Sequence, residues 1–383
     1  MGNIIIFTVF RNTNYGAGLQ AYALQTKLKK VTGEQVYLID YIKNNTTNLM
    51  HNGIIFYGKH SKKSIKSESI KKMLKSILNY RGTVKRTKIF QQFIDNSLCV
   101  YPKKFYEGDV ISVPDLDYIF LGSDQIWNPD VMRGFHNPYF GIIESRAKAV
   151  IAYAPSIGKL TFSNVEEKEL KNRLRNVDLL SCREEKSCEY LKKLTNRNVK
   201  CVLDPTLLLN RDEWSDVADT KCLLPEKYVL VYSLCYDVEL AERAVKYAQG
   251  NGCKVIFLGT GSGKTIPGTE YCREYGPKQF ISAIMNAECI YTDSFHGTVF
   301  SIIFNKKFVV RAYGEKGQRM ESLCNLLDLN ERVFKDYSCF PDMENEIDYT
   351  KVMSKLTELK EKSEKYIYES LNLDVNKSEA EQY

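Results

Sequence analysis

The chain opens with a strand, a helix and a second strand in immediate succession, and this order restricts its fold more than any other feature. Ile4-Ile5-Ile6-Phe7-Thr8-Val9 is an apolar run of the buried-strand type. Leu19 to Leu28 carries an apolar stripe at helical spacing, and Val36-Tyr37-Leu38-Ile39-Asp40 is apolar again. Strand, helix, strand at this spacing predicts two parallel strands joined by a right-handed crossover. The alternation resumes at 118–122 and 149–153, and a helix is expected over 165–176. A second series starts near Leu179-Leu180-Ser181-Cys182 and continues through strands at 199–205, 228–233, 254–258, 289–291 and 308–310, with helices over 238–249 and 279–287 between them. The pattern predicts an α/β fold of two Rossmann-like, doubly wound domains facing a cleft. Residues 1–176 form the first domain, broken by a basic helical insertion over about 43–112. Residues 177–345 form the second, and 346–383 are a C-terminal helix, expected over 349–371, with a polar, frayed tail.

Charge and composition narrow the function. The 383 residues are 44% hydrophobic and 26% charged, as in a soluble globular protein of about two domains. No run approaches the ~18 apolar residues of a membrane helix, and Met1-Gly2-Asn3-Ile4 lacks the basic flank of a signal peptide, so a cytoplasmic protein is expected. The eleven cysteines contain no C-x-x-C pair and lie mostly in apolar runs, which favours buried reduced thiols over disulfides or a zinc site. The net charge of +7 is concentrated: between Lys59 and Lys88 eleven Lys or Arg residues face one acid, Glu68. A solvated helical face is the plainer reading. Attraction to anionic lipid head groups or phosphorylated substrates is the functional one. Nucleic acid is not an expected partner, because no recognition motif accompanies the charge.

The chemistry-bearing residues cluster in loops after strands, where open α/β sheets place ligands. Thr292-Asp293-Ser294-Phe295-His296-Gly297-Thr298 holds one of only four histidines. His296 is a candidate proton donor or acceptor near neutral pH, or a cap on the following helix. Arg11 to Gly18 contains Asn14, Tyr15 and Gly16, small and polar residues that let a substrate approach a helix start. In Gly122-Ser123-Asp124-Gln125-Ile126-Trp127, Asp124 is either a turn cap or an acceptor for a sugar hydroxyl proton. Arg183, at a strand's end, suits a carboxylate or phosphate clamp, or an ordinary salt bridge to Glu184 or Glu185. Gly259-Thr260-Gly261-Ser262-Gly263-Lys264-Thr265 mimics a nucleotide loop, but Leu258 replaces the required first glycine and Pro267 opposes a following helix. Its amides and Lys264 could still cradle a phosphate.

Six motifs in order, NYGAGLQAYAL (14–24), FLGSDQIWNP (120–129), AYAPSIG (152–158), SCREEKS (181–187), VLDPTLLL (202–209) and TDSFHGTVFSIIFNKKFVV (292–310), resemble the polysaccharide pyruvyl transferase family. The resemblance implies a fold similar to the GT-B glycosyltransferases. It also implies transfer of a pyruvyl group from phosphoenolpyruvate to a pair of sugar hydroxyls as a ketal, in cell-surface polysaccharide biosynthesis. His296 matches the family's functional histidine and Arg183 a donor-binding arginine, with Asp124 a second catalytic candidate. Asn14, Tyr15, Gly16, Ser123, Gln125, Ser294 and Gly297 are candidate substrate-binding residues. Lys264 and Lys316, with Arg311 and Arg319, are further cations chosen for charge and placement. One departure stands out: the position two before the histidine, often arginine in the family, is Ser294. Neither cofactor nor metal is expected. The expected partners are phosphoenolpyruvate and a sugar acceptor, lipid-linked at the inner face of the membrane, with peripheral contact to anionic lipid. A nucleotide-sugar glycosyltransferase and a non-catalytic scaffold of polysaccharide assembly are the competing readings.

Overall fold

The opening strand β1 (Asn3–Phe7) is apolar throughout because both its faces are covered: Ile4 and Ile6 pack with Leu24 and Leu28, Ile5 and Phe7 with Leu170 and Leu174. The computed structural model of the chain describes residues 3–43, 84–114, 116–259 and 266–372, apart from the side chains of Glu315 and Lys316. Lys264, most of the basic segment and the last eleven residues lie outside these.

After β1 come α1 (Tyr15–Thr32), β2 (Gln35–Ile42), a helix α2 over 84–97, β3 (Val100–Tyr106), β4 (Leu116–Leu121), α3 (Pro129–Met132), β5 (Ala149–Ala152) and α4 (Asn164–Leu174). These strands form a parallel sheet in the order β3-β2-β1-β4-β5. Asn14 caps α1 by accepting from the Gly16 amide, and Gly33, at φ 67°, ends it.

Two expectations need correction here. Residues 84–112 are not a separate insertion, since α2 sends Phe90, Phe93 and Ile94 into the cores and β3 supplies the edge strand beside β2. The domain boundary also moves. β6 (Leu180–Cys182), α5 (Glu185–Thr195) and β7 (Val199–Cys201) form a two-stranded parallel sheet of their own that packs with the first: Ala152 donates to Leu179 O at 2.9 Å, and Leu180, Cys188, Leu191 and Val199 share the core of Ile5 and Phe7. The junction between the halves therefore falls after Cys201 rather than at 176/177.

The second half comprises α6 (Arg211–Val217), β8 (Tyr228–Ser233), α7 (Val238–Gly250), β9 (Lys254–Gly259), β10 (Glu270–Tyr271), α8 (Pro277–Met285), β11 (Cys289–Thr292), α9 (Phe295–Ile303), β12 (Lys307–Arg311), α10 (Gly314–Leu326) and β13 (Val333–Phe334). Its parallel sheet runs β10-β9-β8-β11-β12-β13, and every residue of the central β8 is buried. The final helix, α11 (Tyr349–Ser370), spans both halves. Val352 and Leu356 join the second core, whereas Tyr366 and Ile367 return to the first, with Tyr366 Oη donating to Ala152 O at 2.9 Å. Ile367 is fully buried, so Ile367→Ala is expected to cost about 2–5 kcal/mol in urea unfolding. A loss under about 1 kcal/mol would mean that α11 docks without closing the first core.

The halves also share a core through α1. Tyr15 stacks on Phe280 at a centroid distance of 4.5 Å and donates to Tyr275 O at 3.0 Å. Arg86 joins them by donating to Tyr15 Oη at 2.9 Å, Thr13 O at 2.9 Å and Arg273 O at 3.2 Å. No helix among the described residues is long and apolar enough to cross a membrane.

Candidate active site

In each sheet the strand order reverses at one place, between β1 and β4 in the first and between β8 and β11 in the second. Ligands of open α/β sheets bind at the carboxyl ends of strands near such switch points. Here the two face each other: the start of α1, just after β1, abuts the start of α9, just after β11. A methyl group at Gly16 would lie 1.9 Å from His296 Nδ1 and 2.3 Å from its Cγ, so the imidazole rests directly on the Gly16 backbone. Only glycine permits that approach.

His296 sits in the first turn of α9, where Ser294 accepts from the Gly297 amide as N-cap. Gly297 is needed for packing, since a Cβ there would meet Thr292 Oγ1 at 2.3 Å. The His296 ring is buried, and its Nε2 has no hydrogen-bond partner but lies 3.9 Å from Asp204 Oδ2. Burial pushes the imidazole pKa down. Asp204 and Asp124 oppose this, Arg183 and Arg319 reinforce it, and the net position is below the ordinary 6.5.

Asp204 is the hub of the site. It follows β7, and its Oδ1 accepts from the Thr206 amide at 3.0 Å and Thr206 Oγ1 at 2.6 Å, capping the short turn Pro205–Leu208. Its Oδ2 takes Arg183 Nη1 at 2.5 Å, with Ser123 Oγ at 3.3 Å. Burial alone would raise its pKa, but Arg183, His296 and Thr206 hold it below the ordinary carboxylate value. Burial likewise works against the Arg183 cation. Glu184, at 3.2 Å from Nε, together with Asp204 and Asp124, holds it charged. Arg183 thus makes the salt bridge to Glu184 that its sequence position allowed, plus a stronger one to Asp204. Only Nη2 remains without a partner.

A second cation faces the same groups. Arg319 of α10 lies 5.8 Å from the Phe295 ring centroid, which Arg183 covers at 4.4 Å. Burial and the Arg183 charge lower its pKa, against Asp124, Glu184 and Asp204, and it pairs with no carboxylate among the described residues. A cavity of about 120 Å³ lined by Arg183, Asp204, Phe295 and Arg319 adjoins a cleft of about 390 Å³ between Gly158, Lys159 and Lys186 of the first half and Gln318, Glu321 and Asn325 of the second.

Several sequence candidates are engaged by the fold around this site. Tyr15 and Ser123 are almost fully buried. Tyr15 holds the two halves together, and Ser123 Oγ lies 2.8 Å from Ala154 O while its amide donates to Gln20 Oε1 at 3.1 Å. Asn14 caps α1, and Gln125 Oε1 accepts from Asn128 Nδ2 at 2.8 Å. Asp124 is half-buried at φ 66°, its carbonyl accepting from Ser156 at 2.8 Å, and it acts electrostatically on His296, Arg183 and Arg319. Arg311 is bound to Asp237 and covers Tyr337 at 4.6 Å, away from His296. Sequence reasoning singled out neither Asp204 nor Glu184 as a site residue. The Asp-Pro pair straight after a strand was the available cue for Asp204. Among the described residues no group of three or more His, Cys, Asp or Glu is arranged to hold a metal ion.

A buried, charge-flanked histidine where two parallel sheets meet marks the candidate site of an α/β protein. The family described as polysaccharide pyruvyl transferase matches residues 14–315, and the chain belongs to it. It is accordingly a transferase of polysaccharide biosynthesis with a sugar as acceptor. A comparison with curated proteins gives no match. Among solved structures the chain is similar to the UDP-N-acetylglucosamine 2-epimerase of Rickettsia bellii (12% identity, 97% of each chain covered, TM-score 0.45). It is also similar to the UDP-GlcNAc 2-epimerase of Neisseria meningitidis bound to UDP-GlcNAc (9% identity, 98% and 95% covered, TM-score 0.44). A third is ADP-heptose lps heptosyltransferase II of E. coli (11% identity, 95% and 100% covered, TM-score 0.32). These likenesses say nothing of what this chain binds.

Proposed function

We propose that the protein transfers a pyruvyl group from phosphoenolpyruvate to two hydroxyls of a sugar, forming a ketal. The observation that carries this reading is His296 Nε2, unpartnered among the described residues and buried beside the Asp204–Arg183 pair and a second cation, Arg319. Addition to an enolpyruvyl group starts with protonation of its methylene carbon. The imidazolium of His296 forms that C–H bond, and the neighbouring carbon becomes oxocarbenium-like. One sugar hydroxyl attacks it, and Asp124 accepts the hydroxyl proton. The C–O bond to phosphate then breaks, the second hydroxyl closes the ketal, and its proton departs on the leaving phosphate. Arg319 and Arg183 Nη2 hold the donor's carboxylate and phosphate. In this reading Arg319 supplies the charge that Ser294 does not.

The second sheet offers a further supporting observation. After β8, the amides of Leu234 and Cys235 and the hydroxyl of Ser233 point to one spot, the kind of amide nest that cradles phosphate. Asp293 fills it, at 2.6, 3.0 and 2.6 Å. Its donors are taken by Asp293, so this turn lends no support to a nucleotide-sugar donor. The lipid-linked acceptor at the inner membrane face, the peripheral lipid contact and the cytoplasmic location belong to the same proposal, with the basic residues of 59–88 as their support.

The deciding experiment is calorimetry of the full chain with phosphoenolpyruvate and with uridine and guanosine diphosphate sugars, beside Arg319→Ala. Saturable phosphoenolpyruvate binding, weakened at least tenfold in the variant, is expected. Binding of a nucleotide sugar alone would overturn the proposal. The pH profile tests the acid. With His296 below 6.5 in the free enzyme, kcat/KM should fall as pH rises through a value under 6.5. Bound donor neutralises the arginines, so the same limb in kcat should move to higher pH. Coincident limbs, or limbs that persist in His296→Gln, would remove the histidine from this role.

A further inference from the structure

Three cysteines lie beneath the Arg183–Asp204 pair. Cys182 ends β6 and Cys201 ends β7, and they are register partners, which puts both side chains on one face of this small parallel sheet. Cys188 lies in the first turns of α5, the helix connecting those strands and packed on that face. Its Sγ is 3.5 Å from Cys182 O and 3.5 Å from Lys200 O, which places it over the ends of both strands, beside the other two cysteines. Cys182 and Cys188 are buried, whereas Cys201, on the edge strand β7, is exposed and lines the cavity that holds Arg183 and Arg319. Cys201, like Cys235 and Cys339, thus departs from the expectation of buried thiols.

Each thiol also supports the site. Cys201 Sγ lies 3.7 Å from Arg183 O and Cys188 Sγ 3.5 Å from Cys182 O, so the carbonyls of the two residues that carry the arginine both accept from thiols. We propose that Cys201 and Cys188 are a peroxide-oxidised thiol pair whose disulfide displaces Arg183 and switches the transferase off. Of the three, Cys201 is the exposed one that lines the cavity, so peroxide reaches it first, and it reacts as its thiolate. Its sulfur attacks hydrogen peroxide: an S–O bond forms, the O–O bond breaks and hydroxide departs. Cys188 sulfur then attacks the sulfenic acid. The S–S bond forms, the S–O bond breaks, and the leaving hydroxide takes the Cys188 proton as water. Both S–H donors are consumed, so the Cys182 and Arg183 carbonyls lose them together.

The test exposes the full-length protein to hydrogen peroxide and maps linked peptides by mass spectrometry, with pyruvyl transfer and melting temperature followed in parallel. A single 188–201 link, a more than tenfold activity loss reversed by dithiothreitol, and resistance of Cys201→Ser and Cys188→Ala are expected. Absence of the link, or equal inactivation of Cys201→Ser, overturns the proposal. The activity arm rests on the pyruvyl-transfer reading. Peptide mapping does not, so failure of that reading and failure of the thiol pair are told apart.

Discussion

Asp204→Asn is expected to destabilise the protein by about 3–5 kcal/mol, because it leaves Arg183 buried without its closest counter-charge. The substitution preserves shape and leaves Oδ1 free to accept from Thr206, so the loss reports the ion pair. Glu184 still faces Arg183 Nε, but at 3.2 Å and from a single side. Urea unfolding at neutral pH measures the difference. Its pH dependence follows from the carboxyl's lowered pKa. Asp204 contributes its full stability above the unfolded value of 3.8 and loses it as pH falls through the lower folded value. The gap between wild type and variant should therefore be constant above about pH 5 and close at more acid pH. A gap under 1 kcal/mol, or one independent of acid, would show that Arg183 is held by Glu184 alone. Loss of activity should accompany the destabilisation even where the variant is fully folded, because Asp204 also faces His296.

Gly16→Ala is expected to reduce turnover about 100-fold while the chain still folds, the size of effect that a 1 Å displacement of a reacting group produces. The added methyl would lie 1.9 Å from His296 Nδ1, far inside contact distance. The α1 backbone cannot retreat, because Tyr15 is clamped by Phe280, Tyr275 and Arg86 and Gly16 is capped by Asn14. The imidazole must therefore leave its present position beside Asp204. Overpacking of this kind costs about 1–3 kcal/mol, a modest fall in melting temperature. His296→Ala should lose activity about 10²–10⁴-fold, and adding Gly16→Ala to it should lose little more, since the group being displaced is already gone. Additive losses would show that Gly16 acts on substrate by some other route.

The elements that depend on local pattern were readable from residues alone. The helix predicted over 238–249 is Val238–Gly250, and the one over 349–371 is Tyr349–Ser370. Both combine an apolar face with a capping aspartate, Asp237 or Asp348, and each of these cues lies within a few residues of chain. The loops holding Asn14 to Gly16, Asp124, Arg183 and His296 were also identified, because each follows a strand and carries polar groups. What was misread depends on partners distant in sequence. The domain boundary failed since β6 and β7 look alike whether they pack with the first sheet or the second. The bridge from Ile151 to Leu179 and the core shared with Ile5 and Phe7 decide. Tyr15 looked like a substrate contact because a tyrosine in a loop reads the same whether it meets ligand or Phe280.

The sequence by itself determined that the chain is α/β with parallel sheets, that it belongs with the polysaccharide pyruvyl transferases, and that His296 and Arg183 sit at strand ends. Periodicity, loop chemistry and short motifs are properties of consecutive residues. Tertiary structure alone decided that Asp204 holds Arg183 beneath His296, that Gly16 is the floor of the imidazole, and that three cysteines share one face. Those relations join residues up to 280 positions apart, and side-chain contact across such separations has no local signature.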